Sequence, residues 1–181
     1  MAVSTIPEKA LLDFLESLEV EKNLSNLTIR NYGHYLRRFN DWFKARGHDD
    51  LLQLNQDNLR KYRVFLARHV NDQGRTLSKK TQGYHVIALR SWFKWLVKQD
   101  IDVLHPEKIE LPKGESTPMK FASVEKIEGL LSIPDVSKPG GLRDRAILEV
   151  LFSTGLRVSE LVGLNRDQID LKRREFGVIG K

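Results

Sequence analysis

A mainly α fold is what this sequence predicts: a four-helix bundle, a proline-rich connection, and a second, mostly helical unit ending in a short strand. Three observations predict it. Apolar residues recur at helical spacing in four segments between residues 5 and 99, each with a capping residue in front. Prolines at 106, 112 and 118, with Gly114 among them, then break that spacing. Helical spacing resumes after Phe121 and gives way to a β-prone run at Glu175–Ile179.

The first helix is announced by Thr5-Ile6-Pro7-Glu8, which has the form of a capping box with proline in the first turn. Leu11, Leu12, Phe14, Leu15 and Leu18 follow as its inward side. Ser25 or Asn26 caps a second helix carrying Tyr32, Leu36, Phe39 and Phe43, which Gly47 stops. Asn55 caps a third, with Leu59, Tyr62, Phe65 and Leu66 inward. Ser78 caps a fourth that runs to about Lys98, with Tyr84, Ile87, Ala88, Ser91, Trp92 and Trp95 on its packed side. Such helices joined by short loops make a small bundle. Trp42, Trp92 and Trp95 lie among apolar residues and belong to its core.

These elements place a first domain at 1–103 and an extended linker at 104–120, where Lys113-Gly114-Glu115-Ser116-Thr117 is polar and flexible. The second unit, 121–181, opens with a short helix capped by Ser123. A loop from Pro134 to Gly141 precedes a helix over Leu142–Thr154, with Ala146, Ile147, Val150 and Leu151 inward and Gly155 as its stop. Val158–Gly163 forms a further helix, Asn165-Arg166-Asp167 begins another turn, and Glu175–Ile179 is a strand.

Charge separates the segments. Residues 1–21 carry a net charge of −4, residues 22–113 hold 18 Lys/Arg against 9 Asp/Glu, and residues 114–181 are close to balanced. A middle segment this basic suits a polyphosphate partner, although a solvated helix surface has the same composition. The chain has no cysteine, and its five histidines are scattered without ligand spacing, so no metal and no cofactor is expected. It shows neither a signal peptide nor a run long enough to span a membrane, which fits a cytoplasmic protein.

The residues that carry chemistry stand in Thr154-Gly155-Leu156-Arg157-Val158-Ser159-Glu160-Leu161. Arg157 follows a glycine helix stop, so its backbone is fixed while its guanidinium is free to fork onto two phosphate oxygens. Glu160 lies three residues on, on the same face, where it can orient the guanidinium; the same spacing also suits a plain surface ion pair.

Together with Arg143-Asp144-Arg145-Ala146-Ile147-Leu148, and with Leu164, Asp167, Ile169 and Asp170, this block resembles the tyrosine recombinase (phage integrase) family, most nearly its Xer-type members. Upstream, Ser25-x-x-Thr28-x-x-x-Tyr32-x-x-x-Leu36-x-x-Phe39, Ala88-Leu89-Arg90-Ser91-Trp92-Phe93 and Leu111-Pro112-Lys113 extend the likeness over almost the whole chain. The resemblance implies a SAM-like core-binding domain followed by a truncated, mostly helical start of an α+β catalytic domain. It implies site-specific DNA recombination through a phosphotyrosine in a full-length parent. Arg157 would hold the scissile phosphate, Glu160 would support the active-site cations, and Lys181 would protonate the departing 5′-hydroxyl.

The family also uses a second arginine, further histidine or tryptophan positions and a tyrosine nucleophile, all beyond the lysine. This chain has tyrosines only at 32, 35, 62 and 84, so by itself it is expected to bind duplex DNA and not to cut it. The resemblance places the second and fourth helices at the major groove. It thereby marks Thr28, Arg30, Asn31, Arg37 and Lys44 on one helix, and Lys79, Lys80, Thr81, Arg90 and Lys94 on the other. A solvated role is open for each of them. A homo- or hetero-tetramer on DNA is implied for the parent. Two other readings fit the residues: a non-catalytic DNA-binding protein with a recombinase-like N-terminal half, and a helical protein-interaction module without affinity for DNA.

Overall fold

Residues 4–70, 73–112 and 121–178 are described by a computed structural model of the chain, which divides into two compact units, Met1–Ser116 and Thr117–Lys181. In the first unit, α1 (Pro7–Val20), α2 (Asn26–Lys44), α3 (Gln56–Arg68) and α4 (Lys79–Lys98) form the expected bundle. Ser25 and Ser78 cap α2 and α4 through the N–H groups of Thr28 and Thr81, three residues on. Asn55 and Asn58 cap α3 reciprocally, each side chain taking the other's backbone N–H. Pro7 occupies the first turn of α1, but Thr5 does not cap it. Its hydroxyl reaches Asp50 at 3.1 Å and ties the start of the chain to the 3-10 turn Leu51–Gln53.

Phe39 of α2 is the hub of the core. Its ring meets Tyr62 of α3 edge-on at 5.1 Å and Trp92 of α4 at 6.3 Å. Trp92 in turn donates its indole N–H to the Ala10 carbonyl of α1 at 3.3 Å, so one cluster of rings joins all four helices. Phe14, Leu36, Leu66 and Leu89 close the same cluster with almost no exposure.

On two helices of the bundle the inward assignments change. Leu12 is 62% exposed, one position off the Leu11–Phe14–Leu18 row that α1 buries. On α4, Tyr84 and Ile87 are exposed and Ser91 only half-buried, while His85, Val86, Leu89, Phe93 and Leu96 pack inward beside Ala88, Trp92 and Trp95. The buried row is thus shifted about one residue round the helix. Tyr84 finds cover by stacking on Tyr35 of α2, with centroids 6.2 Å apart.

The start of the connection packs against the bundle. Pro106–Lys108 makes a 3-10 turn, and Val103, Pro106 and Ile109 are buried against the bundle. Pro112 lies so near Gly83 that a Cβ there would stand 3.1 Å from the proline ring, so glycine permits the approach. The polar stretch 113–120 lies outside the described residues.

In the second unit, α5 (Val124–Ser132) and α6 (Pro139–Thr154) precede the short α7 (Val158–Val162). α6 starts three residues earlier than the spacing predicts. Pro139 takes the first turn, and Gly141 fits against the Asp135 carbonyl where a side chain would collide. Gly155 ends α6 in the left-handed conformation at φ +67°, as a helix-stop glycine should. A two-residue strand, β1 (Ile169–Asp170), pairs antiparallel with β2 (Glu175–Phe176), Ile169 opposite Phe176. Asp170 sets the intervening turn by accepting the N–H groups of Lys172 and Arg173. Among the described residues of this unit none is buried. Val150 and Leu151 are half-buried, Ala146 and Ile147 are exposed, and Phe121 is 84% exposed.

Candidate nucleic-acid interface and phosphate site

Arg157 is the residue in front of α7, placed there by the turn at Gly155. Glu160 grips it twice. One carboxylate oxygen accepts the Arg157 backbone N–H at 2.8 Å, and the other accepts Nη1 of the guanidinium, also at 2.8 Å. These two bonds, the backbone one foremost, hold the Glu160 carboxyl below the usual carboxylate range. The glutamate side chain is 19% exposed and the arginine side chain 74%. The carboxylate is therefore tucked against the turn, and the rest of the guanidinium fork faces outward. A guanidinium held in this way keeps a free N–H edge whose geometry matches two oxygens of an anion. Lys181 lies outside the described residues.

The marked residues of α2 and α4 fall into two kinds. Thr28 and Thr81 occupy the same place in their helices: each gives its N–H to the capping serine, with hydroxyl-to-hydroxyl distances of 2.9 and 2.8 Å. They build the helix starts. The cations lie along the flanks. Arg30, Asn31 and Arg37 are exposed on α2, and Arg37 stretches back over Gly33, where a Cβ would meet its guanidinium at 3.1 Å. Lys44 departs from that row, since it leans toward α1 and pairs with Glu8 at 3.4 Å. On α4, Lys79, Lys80 and Lys94 are exposed and Arg90 is half-buried. Lys80, Tyr84, Ile87, Ser91 and Lys94 form one outward stripe by helical spacing. The middle three of these are interface candidates that sequence reasoning placed in the core, because an aromatic and an aliphatic at helical spacing read as packing residues.

The helix starts add an electrostatic signature. α1, α3 and α5 each carry an acid in the first turn (Glu8, Asp57 and Glu125), where it offsets the helix dipole. α2 and α4 have none, nor does α6, and α4 instead opens with two lysines. The starts of α2 and α4 thus lack an acid of their own to offset the helix dipole, which favours phosphate. Arg38 was also absent from the sequence reading; it lies between the two helices and meets His85 of α4 at 3.3 Å.

Two family models match the chain in succession. Residues 11–100 match the phage integrase N-terminal SAM-like domain, and residues 120–181 match the phage integrase family. The chain belongs to the tyrosine recombinase (phage integrase) family. It is 33% identical to tyrosine recombinase XerC of Bacillus subtilis over 93% of its own length and 54% of the relative's. With tyrosine recombinase XerC of Natranaerobius thermophilus it is 37% identical, over 94% and 56%. With tyrosine recombinase XerD of Pseudomonas aeruginosa it is 33% identical, over 99% and 58%. The chain therefore spans a little over half the length of these Xer recombinases. Among solved structures, the N-terminal domain of a phage integrase/site-specific recombinase from Haloarcula marismortui shares its fold, with a TM-score of 0.51 at 23% identity, covering 60% of this chain and 98% of that one. No helix among the described residues is long and apolar enough to cross a membrane.

Proposed function

We propose that this chain is the DNA-binding bundle and the opening of the catalytic domain of a site-specific recombinase, divided as 1–103, 104–120 and 121–181. The observation that carries the proposal is that α2 and α4 hold no acid in their first turns and carry cations along their flanks, while in the second unit a guanidinium is held outward by its own glutamate at Arg157. The bundle supplies affinity through phosphate contacts from Arg30, Arg37, Lys79, Lys80, Arg90 and Lys94, while Asn31 and the Tyr84–Ser91 stripe face base edges. Lys44, half-engaged by Glu8, contributes least.

At the reacting phosphate, Arg157 binds two non-bridging oxygens and offsets the charge that builds on them as the phosphorus becomes pentacovalent. Glu160 keeps that fork aimed. Lys181 gives a proton to the 5′-oxygen as it leaves. The attacking tyrosine is supplied by none of Tyr32, Tyr35, Tyr62 or Tyr84. All four belong to the bundle, and burial pushes the Tyr62 hydroxyl far above its ordinary pKa, away from nucleophilic use. In a full-length recombinase, four such subunits would act on two duplexes.

The test is a nicked suicide duplex incubated with the 181-residue chain. A native gel should show a retarded complex, and a denaturing gel should show no protein–DNA adduct. A covalent adduct would sink the assignment of the nucleophile, and the lack of any complex at low salt would sink the binding role.

A further inference from the structure

The family resemblance assigns no contact to α3, yet α3 continues the cationic surface of α2. A groove runs along these two helices in two adjoining stretches that share Arg46, Phe65 and His69. α2 gives it Arg30, Arg37, Arg38 and Arg46, and α3 gives it Arg60, Lys61 and Arg68. Two carboxylates line it, Asp41 and Asp57, and Asp57 is already paired with Lys61 at 2.6 Å. Among the described residues, none of Arg30, Arg37, Arg38, Arg60 and Arg68 forms an ion pair. Arg46 lies over the Trp42 ring at 4.3 Å, which leaves its charge unneutralised as well.

This concentration of like charge costs free energy in the unbound bundle, and a polyanion relieves it. His34, inside the groove, registers the field: burial and then Arg38 and Arg37 hold its pKa below the ordinary histidine value. Six of the seven cations are arginines, whose planar forks suit phosphate oxygens better than point charges do. Arg60 and Arg68 stand eight residues apart, about 12 Å along the helix, which lets them touch separate phosphates.

We propose that the α2–α3 groove is a second phosphate-binding surface, which takes a stretch of duplex backbone beyond the one engaged by α4. This rests on the DNA-binding reading above and extends it to an element that reading leaves out.

The experiment is an anisotropy titration of a labelled mixed-sequence duplex with the 181-residue chain across a salt series. Arg60→Gln/Arg68→Gln should weaken low-salt binding roughly tenfold and flatten the log K against log salt slope by about 2, near 0.9 per lost phosphate contact. Arg60→Lys/Arg68→Lys should keep the slope. If the glutamine pair leaves slope and affinity unchanged while Lys80→Gln/Lys94→Gln lowers both, the groove proposal falls and the α4 reading stands. If the unaltered chain shows no salt-dependent binding, both fall. Loss of self-association in sedimentation with DNA binding intact would assign the groove to a second copy of the chain and overturn the proposal.

Discussion

His85 of α4 sits inside the bundle with 1% exposure and three partners. Its Nδ1 faces the Tyr35 carbonyl at 3.3 Å and the Tyr62 hydroxyl at 3.4 Å, and its Nε2 faces Nη1 of Arg38 at 3.3 Å. The carbonyl must accept and the guanidinium must donate, so the ring is neutral with its proton on Nδ1. A second proton would point at Arg38. Burial first and the Arg38 charge second depress the His85 pKa to about 4. A histidine that resists protonation only when folded leaves stability unaffected above the unfolded pKa of about 6.5. Stability then falls as pH drops toward about 4, by at most about 3 kcal/mol. Urea midpoints measured from pH 7.5 to 4 should show this loss in the natural chain and a shallower one in His85→Gln; equal slopes would refute the assignment. No sequence signal marks this network, because its members are 23, 47 and 50 residues from His85. The Arg157–Glu160 pair was legible because its spacing is three residues and a glycine stop fixes its backbone.

Helix α4 shows how an element can be built against its own stability. Its serine cap and aromatic rows favour the helix, yet its first turn holds Lys79 and Lys80 and no acid. Lys80→Glu should therefore stabilise the bundle by about 0.3–1 kcal/mol through the helix dipole while weakening duplex binding at low salt. Paired urea and anisotropy measurements on that variant check the trade. If stability and binding rose together, the phosphate role of this turn would be wrong. The sequence located α4 and its cap correctly, since both are local. It misplaced Tyr84 and Ile87 because residue type alone does not say which side of a half-apolar helix meets its neighbours. The strand β1 escaped for a different reason: two residues carry no readable alternation, and its turn depends on one aspartate side chain.

Across the whole chain the two units differ in kind. The bundle closes its core with rings contributed by every helix, while the described part of the second unit buries no residue at all. Periodicity and capping sufficed for the bundle because every partner of its apolar rows lies within about a hundred residues of sequence. The same signals located α5, α6 and α7 but not a core for them. Charge marks both units: acid-poor helix starts on α2 and α4 and the arginine groove of α2 and α3 in the first, and the outward fork of Arg157 in the second. The salt dependence of duplex binding by the unaltered chain tests that account most directly. Engagement of five to eight backbone phosphates predicts a log K against log salt slope of roughly −5 to −7. A slope near zero, or no binding at low salt, would contradict it.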